Sequence, residues 1–266
     1  MRWLNSILAT CQFEFINFLS LQRLAVSIIL AGFPPVMLSL IFLGFQFSGD
    51  SPENPLFITL LFVSISCLLG MLLWATPNIY SELEGKSWIY VASRPRGRVS
   101  VILGKYLAAV LFGFVVCFVA ITGCIAATQI LSGSLRSPVW VWFSMNCLYL
   151  IACASYGAVY SLIGTMFYRR AMVIAAAYTL LSGMFLANIP AVVSRLTLRY
   201  HLQFIGLNWF GNEMALREDV IVTHYLLNEA PSTIFHLACL GLVILVALGF
   251  AIWVVKTREY ATSDET

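Results

Sequence analysis

Six stretches of the chain, 25–47, 56–79, 106–131, 139–168, 171–193 and 233–255, are apolar throughout and contain no Lys, Arg, Asp or Glu. Each is longer than the roughly 20 residues an α-helix needs to cross a hydrocarbon core about 30 Å thick. The pattern predicts six transmembrane helices. Residues 1–22 read differently. Leu4, Ile7, Leu8, Cys11, Phe15 and Phe18 recur at spacings of three and four, one face of a helix, while Asn5, Ser6, Thr10, Glu14, Asn17 and Ser20 fall mostly elsewhere. Gln12, Glu14 and Asn17 interrupt the apolar run, so it lacks the unbroken core of a secretory signal. An amphipathic helix lying in the membrane interface and leading into the first span is expected.

Composition agrees with the pattern. Of the 266 residues 61% are hydrophobic and 10% charged, against about 45–50% and about 25% in a soluble domain. The expected fold is therefore all-α: one polytopic membrane domain over 1–266, with a long connection at 80–105, another at 194–232, and a short disordered tail from about Thr257. Eleven of the fifteen basic residues, among them Arg2, Arg23, Arg98, Lys105, Arg169, Arg170, Lys256 and Arg258, fall on one side of this topology. The positive-inside bias makes that side cytoplasmic and puts both termini there. The net charge of +3 reflects this bias and gives no reason to expect nucleic acid.

Within the spans, the absence of Asp, Glu, Lys and Arg argues against a carrier driven by a charge relay, which keeps such costly groups at membrane depth for function. No H-E-x-x-H, Ser/His pairing or paired Asp suggests an intramembrane enzyme. The seven cysteines lie in apolar sequence without a C-x-x-C pair and read as small hydrophobes. His201 and His224 with Glu218 or Asp219 match no metal-binding spacing, and His236 reads as a packed or interfacial histidine. Pro34-Pro35, Pro77 and Pro190 are expected to break or kink their helices. In the fifth span Ala171, Ala175, Thr179, Gly183, Ala187 and Ala191 form a small-residue ribbon that lets another helix approach closely. That contact is open to a helix of the same chain or of a second copy, and the length of the ribbon favours the second copy.

The most distinctive stretch follows the second span. Acidic Glu82 and Glu84 open a segment carrying Trp88, Ile89, Val91 and Ala92, then Ser93-Arg94-Pro95, Arg98 and Gly104-Lys105-Tyr106. Taken alone it suits a short surface helix, a turn at Pro95 and Gly97, arginines at the phosphate layer, and Lys105 snorkelling at the head of the third span. Together with the topology, these residues resemble the permeases of type-2 ATP-binding-cassette (ABC) exporters, nearest those labelled for multicopper-enzyme maturation. The family commonly has Gly-Thr after its acidic pair, where this chain has Gly85, Lys86 and Ser87. The resemblance implies a coupling helix that seats on a separate ABC ATPase, with Glu82, Glu84, Ser87, Trp88, Arg94, Pro95, Arg98 and Lys105 as its coupling residues. It also implies two short re-entrant helices in 194–232, a second permease copy as partner, and residence in the bacterial inner (plasma) membrane among its lipids. ATP and Mg would belong to the ATPase, with no cofactor or metal on this chain. Gly85-Lys86-Ser87 imitates the end of a phosphate-binding loop, but Tyr80 stands where its first glycine belongs. An ATPase-coupled anchoring, assembly or signalling protein that moves no solute is the other expectation.

Overall fold

A computed structural model of the chain describes residues 2–45, 55–84, 97–131, 133, 135, 137–167, 169–182, 197–210 and 232–258. Among these, 92% are helical and none lies in a strand. The elements in order are α1 (Arg2–Phe18), α2 (Leu21–Phe45), α3 (Pro55–Ala75), α4 (Tyr80–Glu84), α5 (Gly97–Leu131), α6 (Pro138–Met166), α7 (Ala171–Leu180), α8 (Leu198–Phe210) and α9 (Thr233–Thr257). Five stretches are long and apolar enough to cross a membrane: Leu21–Gly44, Leu56–Leu83, Gly97–Leu131, Pro138–Met166 and Thr233–Thr257. The distribution of side chains is that of a protein solvated by lipid. Ile29, Leu43, Ile234, Leu242 and Leu245 point outward, while Asn78, Ser155, Ser161 and His236 are buried. In hydrocarbon polar groups must find partners inside the bundle, and apolar groups lose nothing by facing out. The chain is a multi-pass membrane protein.

α5 is the hub, packed by α1, α2, α3 and α6, and α9 lies against α6. Aromatic rings fill the hub near its first half: Phe112 meets Phe15 and Phe18 of α1 and Trp74 of α3, with centroids 5.8, 5.2 and 4.9 Å away. α6 starts where Pro138 supplies a preset φ at the first helical position.

Two expectations are corrected. Pro34-Pro35 does not interrupt the first span, because α2 runs through both. Pro35 instead lies against α5, where a Cβ on Gly123 would meet its ring carbons at 3.1 and 3.2 Å. The helix of the third span begins at Gly97, so it extends beyond the uncharged window that starts at residue 106. Lys105 lies within this helix, its charge paired inside the bundle. Finally, α1 does not expose Glu14, which is buried on the same stripe as Ile7, Cys11 and Phe18. Leu8, Phe13 and Ile16 are the residues that face out.

Of the predicted fifth span, α7 accounts for Ala171–Leu180, with a π turn at Leu181–Ser182. Residues 183–193, with Gly183, Ala187, Pro190 and Ala191, lie outside the described residues. Pro77 does what was expected of it. Residues 76–79 form a turn between α3 and α4.

Candidate functional site

Three consecutive residues at the head of the third span each hold a different part of the protein. Gly104 lets α1 approach. A Cβ there would sit 2.6 Å from the Thr10 Cβ and 3.0 Å from the Ile7 carbonyl oxygen, so any larger residue pushes the two helices apart. Tyr106 donates its hydroxyl to the Ala154 carbonyl of α6, 3.1 Å away. Between them, Lys105 is 4% exposed and points into a junction of α1, α4 and α5. Its ammonium lies 3.1 Å from Glu14 Oε1, 2.7 Å from Glu82 Oε1 and 2.8 Å from Ser81 Oγ. An ammonium has three donors, and here each has an acceptor.

The turn created by Pro77 is what delivers α4 to this point. Asn78 donates to Ser161 Oγ of α6 at 2.9 Å. A Cβ on Gly164 would collide with the Thr76 carbonyl, so only glycine lets α6 pack against this turn. The end of the second span is thus pinned on α6, and Ser81 and Glu82 are turned toward Lys105.

One cation between two carboxylates is an expensive thing to bury, because desolvation offsets most of the attraction. Its contribution is therefore chiefly to register: α1 and α4 can meet α5 in only one position that satisfies the ammonium. Other cations gather at the same end. Arg98 donates to the Val255 carbonyl at 3.4 Å and Arg258 to that of Met166, linking the start of α5 and the ends of α6 and α9. Ser6 bonds Ser100 at 3.2 Å, a second tie between α1 and α5.

Of the residues expected to couple to a partner, the structure brings Glu82 and Lys105 together and places Arg98 nearby. Lys105 does not snorkel to the interface; it is buried in the ion-pair junction. Glu82, 15% exposed, is turned mostly inward. Glu84 closes α4, while Ser87, Trp88, Arg94 and Pro95 lie outside the described residues. In the small-residue ribbon, Ala171 and Ala175 are buried, and Tyr160 of α6 lies 2.6 Å from Thr179. Because Thr179 gives its own proton to the Ala175 carbonyl at 2.8 Å, Tyr160 is the donor of that bond. The described half of the ribbon is therefore packed on α6 of the same chain rather than left open for a second copy.

Sequence reasoning missed Glu14, Ser81 and Asn78. Glu14 left a trace: it stands three residues after Cys11 and four before Phe18, in register with the buried stripe. An acid in that register needs a buried cation.

At the opposite end of α9 lies a second polar junction. His201 of α8 and His236 of α9 approach at 2.8 Å between Nδ1 atoms, and Phe204 stacks on His236 with a 5.2 Å centroid separation. His224, Glu218 and Asp219, which the sequence sets beside His201 without a metal-binding spacing, lie outside the described residues. α8 stands in the stretch where re-entrant helices are expected, packed on α6 and α9; the rest of that connection, 211–231, is likewise outside them. No protein-family model matches the chain, and no curated protein matches it either.

Proposed function

We propose that this chain is the membrane-spanning permease subunit of a type-2 ABC transporter, an exporter, worked by a separate ATPase. In this reading α7 continues into a sixth span, α8 belongs to a re-entrant connection, both termini are cytoplasmic, and two permease copies pair in a bacterial inner membrane. The observation that carries it is the junction at Gly104-Lys105-Tyr106. The resemblance assigns the segment after the second span to an ATPase. A push on that segment at α4 reaches Lys105, and through it α1 and the head of α5, by ion pairs and hydrogen bonds no longer than 3.1 Å. ATP drives such a machine only by favouring one permease arrangement over another, and a junction with a single satisfied geometry is suited to transmit that preference.

Glu82 is a poor probe of the docking surface, because reversing it also disrupts the junction. Glu84 and Trp88 are better placed. Recovery of an ABC ATPase with the tagged chain in mild detergent, lost with Glu84→Lys and Trp88→Ala while the protein stays folded, is the expected result. Failure to recover one under conditions that preserve such complexes refutes the proposal. If the ATPase binds but proteoliposomes show no solute flux, the anchoring or signalling role replaces transport.

A further inference from the structure

The middle of the bundle holds a cluster that neither the ion-pair junction nor the proposed function uses. Cys67 of α3, Cys117 of α5 and Cys153 of α6 come from three different helices, and their sulfurs all lie within 4.8 Å of one another. The Cys67–Cys153 separation is 3.6 Å, and the three residues are at most 2% exposed. A fourth sulfur is close. Met71, one helical turn beyond Cys67, is fully buried, and a Cβ built on Gly113 would lie 2.6 Å from its Sδ and 3.7 Å from Cys153 Sγ. Gly113 and Gly157 leave the space this thioether occupies, since a Cβ on Gly157 would meet its methyl at 2.7 Å.

We infer that Cys67, Cys117 and Cys153 form an intramembrane site for a soft monovalent d10 cation of the Cu(I) class, with the Met71 thioether beside it. Three sulfurs bonding one ion in a plane at about 2.3 Å lie about 4 Å apart, so the observed cluster needs only small shifts, the 3.6 Å Cys67–Cys153 pair widening slightly. Its donors select the metal. Thiolate and thioether sulfur favour soft ions, whereas Mg, Ca and Mn require oxygen. The Tyr149 hydroxyl, one turn before Cys153, is already committed to the Leu60 carbonyl at 2.7 Å and to Ser64 at 3.0 Å. Three thiols and a weak thioether suit Cu(I) better than Zn, which takes four strong donors. Because thiolate rather than thiol is the ligand, binding through all three sulfurs releases three protons for one monovalent ion, and the loaded cluster carries a net charge of −2. The site does not depend on an ATPase partner.

The test uses the purified full chain in detergent, reduced and anaerobic, loaded with Cu(I) alone and challenged with a chromogenic Cu(I) chelator. One Cu(I) per chain should resist the chelator, and X-ray absorption at the copper edge should show a coordination shell made of sulfur. Cys117→Ala should weaken retention by about 100-fold or more, while Cys239→Ala on α9 leaves it intact. Equal retention in Cys117→Ala, a shell of nitrogen or oxygen, or preferential capture of Zn overturns the inference. So does a Cys67–Cys153 disulfide in the reduced preparation. Because the absorption spectrum is taken on the unmodified protein, the site stands or falls even if Cys117→Ala does not fold.

Discussion

The two ends of the bundle solve the same problem differently. At one end, Lys105 spends all three of its donors on Glu14, Glu82 and Ser81, and the junction joins three helices. At the other, His201 and His236 share one short contact, and His236 Nε2, fully buried, has no partner among the described residues. A saturated charged junction tolerates one geometry. A pair of histidine rings joined by one bond, with a buried nitrogen unsatisfied, holds its helices less strictly. The contrast leaves the α8–α9 end more freedom to rearrange.

The comparison breaks most severely at Lys105. Lys105→Met strands two carboxylates and should destabilise the protein by about 3–5 kcal/mol, seen as a large drop in the denaturation midpoint in detergent. Adding Glu14→Gln and Glu82→Gln should recover much of that loss, because a neutral junction no longer has a charge to compensate. If the single substitution is silent, the junction does not hold the helices.

At the opposite end the effect should be smaller. His201→Phe leaves His236 without its bond and should cost about 1–3 kcal/mol, and His201→Phe with His236→Phe should be less harmful than the single change. A double variant worse than the sum of its parts would show that the histidines do more than satisfy each other.

Gly104→Ala tests close approach without touching a charge. Its Cβ falls on Thr10 and the Ile7 backbone, so α1 should lift from α5 at a cost of about 1–3 kcal/mol. A disulfide engineered between Ser6→Cys and Ser100→Cys, efficient in the otherwise native chain, should then form poorly.

The smallest effect concerns alkali. Burial pushes the Cys11 thiol above its usual pKa. A folded value above the unfolded one gives stability that is full below the unfolded pKa of about 8.5 and is lost as pH rises through the folded value. Cys11→Ala should therefore flatten the alkaline limb of stability of α1, read by protease cleavage against pH.

Helix positions were legible in the sequence because a bilayer imposes the same demand on every span: a long uncharged run. The stretch after the second span was legible as a motif, but the separate tasks of Gly104, Lys105 and Tyr106 were not. Each contacts a helix that periodicity cannot rank as a neighbour. Lys105 illustrates why the helix reaches further than its uncharged window. A charge marks the end of an apolar window only if it stays unpaired, and its partner Glu14 lies 91 residues away in sequence. The cysteines show the same limit. Read singly, Cys67, Cys117 and Cys153 are small hydrophobes, and only the packing of α3, α5 and α6 makes them a cluster.

The amino-acid order by itself thus determined the class of protein, the long spans and the polar bias between their ends, because each depends on local hydrophobicity and charge. Tertiary structure alone decided which helices meet, that Glu14 and Glu82 share one ammonium, that the first half of the small-residue ribbon turns inward, and that three thiols converge. In a membrane all faces of an apolar helix look alike to the lipid, so neighbours are chosen by close packing and by the few polar groups that must find one another.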